Sequence, residues 1–209
     1  MNIFKTTKQH KEHWKNRKID WSEHYMNWKH PHRWVIVNFL KQMTWKSLFE
    51  VGMGAGANLV AIHMAFNDAQ IGGSDISEDA VSTAKEYIKG GILKVGSTDN
   101  IMMSDNSADV VLSDMSLIYV SPKDIKKYIK EMMRVGRNYL LLCEFHSESW
   151  WNRLALKFNT GYNAYDYKKL LTKMGAYDII TYKLTEQNWP GGNPQKKFGY
   201  IILAKLPLK

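Results

Sequence analysis

Cysteine is almost missing from this chain: Cys143 is the only one in 209 residues. A single thiol excludes an internal disulfide and a cysteine-rich metal cluster. It sits in YLLLCEF, an apolar run that reads as a buried strand, so a packed thiol and a reducing cytoplasm are expected. Long hydrophobic runs are missing too. LVAIHMAF and YLLLC fall far short of the roughly 20 apolar residues that cross a bilayer, so no membrane span is expected. The opening MNIFKTTKQHKEHWK carries charge without an apolar centre and does not read as a signal peptide. No repeat, low-complexity tract or domain linker interrupts residues 1–209, which read as one domain. Acidic residues are in deficit: 20 against 29 Lys and Arg gives 29 − 20 = +9. Such a balance raises nucleic acid as a partner. The basic residues are scattered (KQHKEHWKNRK, KDIKKYIK, YKKLLTK, PQKKF), which favours a solvated lysine-rich surface instead.

What is present is an alternation. Residues 1–45 are polar and tryptophan-rich, with helical spacing in RWVIVNFLKQM. From residue 46 onward, strand-like runs (SLFEVG, AQIGGSD, ILKVGS, ADVVLSD, NYLLLCEF) alternate with helix-like ones (ANLVAIHMAF, EDAVSTAKEYIKG, SPKDIKKYIKEMMRV, DYKKLLTKMGA). Ser77 is a plausible N-cap, Gly90 or Gly91 ends that helix, Pro122 stands in the first turn of the next, and Gly175 closes the last. YDIITYKL and FGYIILAKL follow with no helix between them and should pair as a hairpin. The pattern predicts an α/β fold: a doubly wound parallel sheet with helices on both faces and one antiparallel strand. In such sheets the ligand lies beyond the carboxyl ends of the strands, where Gly52, Asp75, Ser97 and Asp114 all fall.

Gly52, Gly54 and Gly56 follow the first strand at alternate positions, just before a helix. Such a turn lets bare backbone approach a ligand. Two acids indicate which ligand. Pyrophosphate wants the positive end of a helix and no carboxylate beside it. Glu50, at the strand's end, suits a positive group instead. Asp75 ends the second strand, where a carboxylate can accept from two ribose hydroxyls. A nucleoside with a cationic tail satisfies both.

At these residues the sequence resembles the class I S-adenosylmethionine-dependent methyltransferases, particularly the small-molecule type with E-V-G-x-G-x-G. LFEVGMGAG and GSDIS match the family's first two motifs; VGSTDNIMMSDNSADVV and LSDMSLIYV are similar to its later stretches. The resemblance implies a Rossmann-like sheet of seven strands with a reversed last strand. It implies S-adenosylmethionine as cofactor, S-adenosylhomocysteine as product, and cofactor contacts from Glu50, Gly52, Gly54, Gly56, Asp75, Ile76, Ser97, Thr98 and Asp114. Ser97 stands where the family usually has an acid facing the adenine amine, and Tyr119 where many members have histidine.

The methyl acceptor needs its own contacts. His146 follows the fifth strand and is a candidate base; Asp114 could orient the acceptor. Residues 1–45 are expected to form a helical lid over the core of residues 46–209. Trp14, Trp21, Tyr25 and Trp28 would wall it, and His32, Arg33 and Tyr119 would face the substrate. SWWNRLALKFNTGYNAY and NWPGGN would add aromatic rims. His30 and His32, two apart without a further ligand, make a poor zinc site, and no metal is expected. A small-molecule, sugar-like or lipid-linked acceptor is favoured. RNA or protein methylation is the alternative, followed by cofactor binding without catalysis.

Overall fold

The computed structural model describes residues 5–207. Three helices come first: α1 (Thr7–Lys15), α2 (Trp21–Tyr25) and α3 (Pro31–Leu40). The alternation then runs β1 (Ser47–Val51), α4 (Ala57–Ala65), β2 (Gln70–Asp75), α5 (Glu78–Tyr87), β3 (Ile92–Val95) and β4 (Ala108–Asp114). A single 3-10 turn at Leu117–Tyr119 precedes α6 (Ile125–Val135), β5 (Gly136–Phe145), α7 (Trp150–Thr160), α8 (Tyr167–Lys173) and β6 (Tyr177–Lys183). The short α9 (Gln195–Phe198) leads into β7 (Gly199–Lys205).

The strands form one sheet in the order β3-β2-β1-β4-β5-β7-β6. β1 to β5 are parallel, and β7 runs antiparallel to both β5 and β6, as the helix-free connection requires. Side-chain alternation splits the core in two. Leu48, Val110, Leu112 and Leu141 point to the face covered by α3, α4 and α5. Phe49, Val51, Val111, Leu140 and Leu142 point to the face covered by α6 and α8. Chain order reverses between β1 and β4, so a crevice opens there at the carboxyl edge.

Local chemistry sets the helix ends. Ser77 Oγ accepts from Ala80 N and caps α5; Gly175, at φ +92°, follows α8. α6 begins later than Pro122. Ser121 donates to Asp124 Oδ2 at 2.7 Å, and Thr7 Oγ1 of α1 donates to the same oxygen at 2.5 Å, so residues 121–124 stay in a turn. α7 lies where only an aromatic rim was expected. Ser149 caps it and Gly161 ends it at φ +79°. Leu156 is its buried residue while Trp150 and Trp151 face outward, stacked on each other, so no inward stripe announces the helix.

Candidate functional site

A cleft of about 460 Å³ lies over the carboxyl ends of β1, β2 and β4. The glycine turn forms part of its floor. Gly52, Gly54 and Gly56 all have positive φ (+67°, +54° and +85°), which side chains other than glycine adopt at a cost. Their surroundings differ. A Cβ on Gly52 would lie 2.2 Å from Ser116 Oγ, and one on Gly56 would lie 2.6 Å from Ile88 Cδ1. Those two glycines permit close packing within the protein. Gly52 and Gly54 both line the cleft, and a Cβ on Gly54 would meet only Trp21, at 3.8 Å, so a side chain there would project into open space.

Asp75 is tied to that turn. Its Oδ2 accepts from Gly54 N and its Oδ1 from Ser77 N, both at 2.9 Å. Burial raises its carboxyl above the ordinary range, opposed by these backbone donors. Each oxygen keeps a second lone-pair direction for a ligand hydroxyl.

A buried polar cluster surrounds Asn58, on the first turn of α4. Asn58 Nδ2 donates to Glu50 Oε1 (2.6 Å) and Asp114 Oδ2 (3.0 Å), while its Oδ1 accepts from Arg33 Nη1 (2.5 Å). Asp114 Oδ2 also accepts from His32 Nε2 at 2.9 Å and Arg33 Nη1 at 3.3 Å. Burial opposes the charge on Asp114, but His32, Arg33 and Asn58 more than offset it and hold the carboxyl well below its usual range. Glu50 goes the other way. Burial, with Asp114 and Asp75 nearby, pushes it up to about 8 despite the Asn58 bond. Its Oε2 is sealed from water without a hydrogen-bond partner, a costly state for a buried acceptor.

Ile76, Ser97 and Thr98 line the cleft past β2 and β3. Ser97 Oγ donates to Asp99 Oδ1, which also pairs with Lys11 of α1, while Asp99 Oδ2 pairs with Lys127. The opposite wall is aromatic. Tyr119 packs edge-on against Trp14 (centroids 5.3 Å) and Tyr162 (5.6 Å), and Trp14 against Tyr25 (6.1 Å). Burial raises the Tyr119 hydroxyl above its ordinary range, so it stays protonated. Trp189, from the expected NWPGGN rim, lines the cleft, whereas Trp150 and Trp151 do not. Cys143 is free and buried beside Asp114, its thiol pushed up by burial.

Three expected residues do not line the cleft: Gly56 packs on Ile88, Trp28 packs on the core, and His146 lies elsewhere. His146 is buried outside the cleft: its Nδ1 accepts from Tyr167 N at 3.2 Å, and its ring packs against Tyr200 and Tyr167. It packs among tyrosines and does not line the cleft. Asn58, His30, Lys11 and His10 line the cleft without having been singled out for it. Asn58 carried a signal, as the polar residue in the otherwise apolar stretch ANLVAI that begins the helix.

A family model described as a methyltransferase domain matches residues 48–138, the span that holds the glycine turn, Asp75 and Asp114. This match and the seven-stranded fold support a class I S-adenosylmethionine-dependent methyltransferase. No match to a curated protein sequence was found. Solved methyltransferase structures share the fold at low identity. The magnesium protoporphyrin IX methyltransferase of Synechocystis PCC 6803, with bound S-adenosylmethionine, has a TM-score of 0.69 at 14% identity, covering 99% of this chain and 100% of that one. A chain of the complex between the Haloferax volcanii Trm112 methyltransferase activator and a methyltransferase has 0.70 at 15%, covering 88% and 92%. A Thermotoga maritima S-adenosylmethionine-dependent methyltransferase has 0.62 at 18%, covering 90% and 97%. Among the described residues no helix is long and apolar enough to cross a membrane, and no metal-binding cluster is present.

The residues fit the methyltransferase cofactor. Glu50 Oε2 lacks a donor where a cationic tail would supply one, Gly54 leaves its backbone open, and Asp75 retains acceptor capacity. Two predictions follow from this geometry. Asp75→Ala removes a charge-assisted contact worth about 1.5 to 3 kcal/mol and releases Gly54 N and Ser77 N. S-adenosylhomocysteine affinity should fall about tenfold or more, with a lower melting temperature. Unchanged affinity by calorimetry would reduce Asp75 to a turn-organising acid. Gly54→Val forces a branched side chain to φ +54° at a strain of about 1 to 2 kcal/mol and fills the cleft beside the turn. The protein should fold and fail to bind. Normal binding by this variant would make the turn purely architectural.

Proposed function

We propose that this methyltransferase transfers the methyl group of S-adenosylmethionine to a small acceptor enclosed between the sheet edge and the N-terminal helices, which act as a lid. The observation that carries this reading is the aromatic chamber of Trp14, Tyr25, Tyr119 and Tyr162, roofed by α1 and α2 above the Asp114 cluster. A partly open chamber of flat rings suits a planar, sugar-like or lipid-linked molecule. It suits a polymer less well, because α1 is latched across the opening by Thr7 to Ser121 and Asp124 and by Lys11 to Asp99. The free buried Cys143 fits a reducing cytoplasm.

The cofactor supplies an activated methyl group, so the chain's task is chiefly placement. Glu50 and Asp75 hold the cationic and ribose ends. Arg33, fixed by Asn27 O and Asn58, offers a cation to the amino acid carboxylate. The aromatic wall sets the acceptor behind the methyl carbon and excludes water.

The first test is thermal shift. S-adenosylhomocysteine at a hundredfold over its dissociation constant should add about 2.7 kcal/mol, and NADH should add nothing. Stabilisation by NADH or NADPH alone would overturn the reading. Tritiated methyl transfer into fractionated lysate, with and without nuclease, then identifies the acceptor. Label in small molecules supports the proposal, and nuclease-sensitive or protein-bound label refutes it.

A further inference from the structure

Three side chains form a hydrogen-bonded line along the cleft. Asp114 Oδ2 lies 2.9 Å from His32 Nε2, and His32 Nδ1 lies 2.6 Å from His30 Nδ1. His32 is buried, with Trp189 stacked on its ring at 4.0 Å between centroids. His30 is half-buried and lines the cleft.

This arrangement restricts where protons can sit. An ionised Asp114 only accepts, so His32 Nε2 carries a proton. One proton fits between the two Nδ1 atoms. If it belongs to His30, that nitrogen gives up the long N-cap bond it accepts from His32 N at 3.4 Å, His32 is neutral and His30 Nε2 presents a lone pair. If it belongs to His32, His32 is a cation against the Asp114 carboxylate, and His30 carries its own proton on Nε2. The two states differ by one proton, and that proton enters at His30 Nε2.

We propose that His30 is the general base of the methyl transfer, with His32 and Asp114 as positioning residues that take up the resulting charge. The proposal rests on the methyltransferase reading and on an acceptor bearing a hydroxyl. The acceptor oxygen's electron pair forms the bond to the methyl carbon, and the carbon–sulfur pair stays on sulfur. The hydroxyl proton goes to His30 Nε2, and the His30 Nδ1 proton passes to His32 Nδ1.

The surroundings direct the charge inward. Burial, His32 and Arg33 push the cation of His30 itself down to about 4, so a full charge does not rest there. His32 instead faces Asp114 directly. Arg33 and the Cys143 thiol also face that carboxylate, Glu50 reaches it through Asn58, and Trp189 brings no charge.

The test is tautomer assignment by long-range ¹H–¹⁵N spectra of histidine-labelled full-length protein, saturated with S-adenosylhomocysteine, from about pH 9 to about pH 5. At high pH His30 should show Nδ1–H and a bare Nε2, with His32 as the Nε2–H tautomer. On acidification His32 should acquire both protons while His30 switches to Nε2–H, at a single shared midpoint. Asp114→Asn should abolish the shared midpoint. His30→Gln and His32→Gln identify the resonances, and through-bond backbone correlations in the unaltered protein do so independently if a variant folds poorly. His30 holding Nε2–H at high pH, or the charge settling on His30, would overturn the proposal. If S-adenosylhomocysteine moved no resonance, the methyltransferase reading would fall, while the tautomers would still be readable in the free protein.

Discussion

Glu50→Gln should raise the melting temperature of the ligand-free protein at pH 8 and weaken S-adenosylmethionine binding about tenfold to a hundredfold. Both effects come from one carboxyl. Burial pushes Glu50 up to about 8, against an ordinary value near 4.5. The folded state therefore holds a proton that the unfolded state has lost between those two values. Its stability is complete below about pH 4.5 and declines as pH rises through about 8. Glutamine removes that decline while retaining an oxygen for Asn58. Binding reverses the preference. A cationic tail beside the unpartnered Oε2 favours the ionised form, so cofactor binding should release a proton below pH 8 and tighten as pH approaches it. The lost charge-assisted contact is worth about 1.5 to 3 kcal/mol. Calorimetry at pH 7 in phosphate and in Tris measures the proton released. Glu50→Gln should cut it sharply. Unchanged affinity and unchanged proton release would show that Glu50 does not meet the cofactor. Glu144, also pushed up to about 8 by burial, lies outside the cleft and bonds Ser113, Ser116 and Leu117. It should give the same pH-dependent destabilisation without any response to cofactor.

The division between what could and could not be read from the chain follows contact range. β1, the glycine turn and α4 are contiguous, and glycine spacing records a backbone demand directly, so this region was legible. So was Asp75, because a strand's end fixes its place relative to the turn of the neighbouring strand. The hairpin of β6 and β7 was legible from the missing helix. The Asn58 cluster was not. It joins residues from α3, β1, α4 and β4, and no local period encodes an amide that satisfies two acids and an arginine at once. His146 failed for a related reason. Standing just past a strand's end gives no assurance that a side chain faces the edge, and Tyr167 and Tyr200 supply an apolar alternative that takes this one. His30 and His32 were weighed as a metal pair and found wanting; their 2.6 Å contact with each other and the tie to Asp114 appear only in three dimensions.

Deleting residues 1–28 should leave a folded sheet that binds cofactor at least tenfold more weakly and turns over at least a hundredfold more slowly. The two clusters flanking the sheet draw no buried residue from α1 or α2 and lose only the partly buried Trp28 from their margin, so the α/β core retains most of its packing. The deleted segment instead covers the cleft. Trp21 is buried on Ala55, Ala57 and Ala80, within 3.8 Å of where a Gly54 side chain would lie. Lys18 reaches Asp79 on α5, and Thr7 and Lys11 latch onto residues on the other side of the cleft. The lid thus bridges the glycine turn to the Ser121–Asp124 turn. Removing it exposes the cofactor's ribose side, which weakens binding. Turnover suffers more, because Trp14 and Tyr25 are half of the chamber wall, and misplacing an acceptor by about 1 Å costs on the order of a hundredfold. Circular dichroism, calorimetry and tritiated methyl transfer separate the three outcomes. A truncated protein with full activity would refute the lid, and the N-terminal tryptophans would then need a partner of their own.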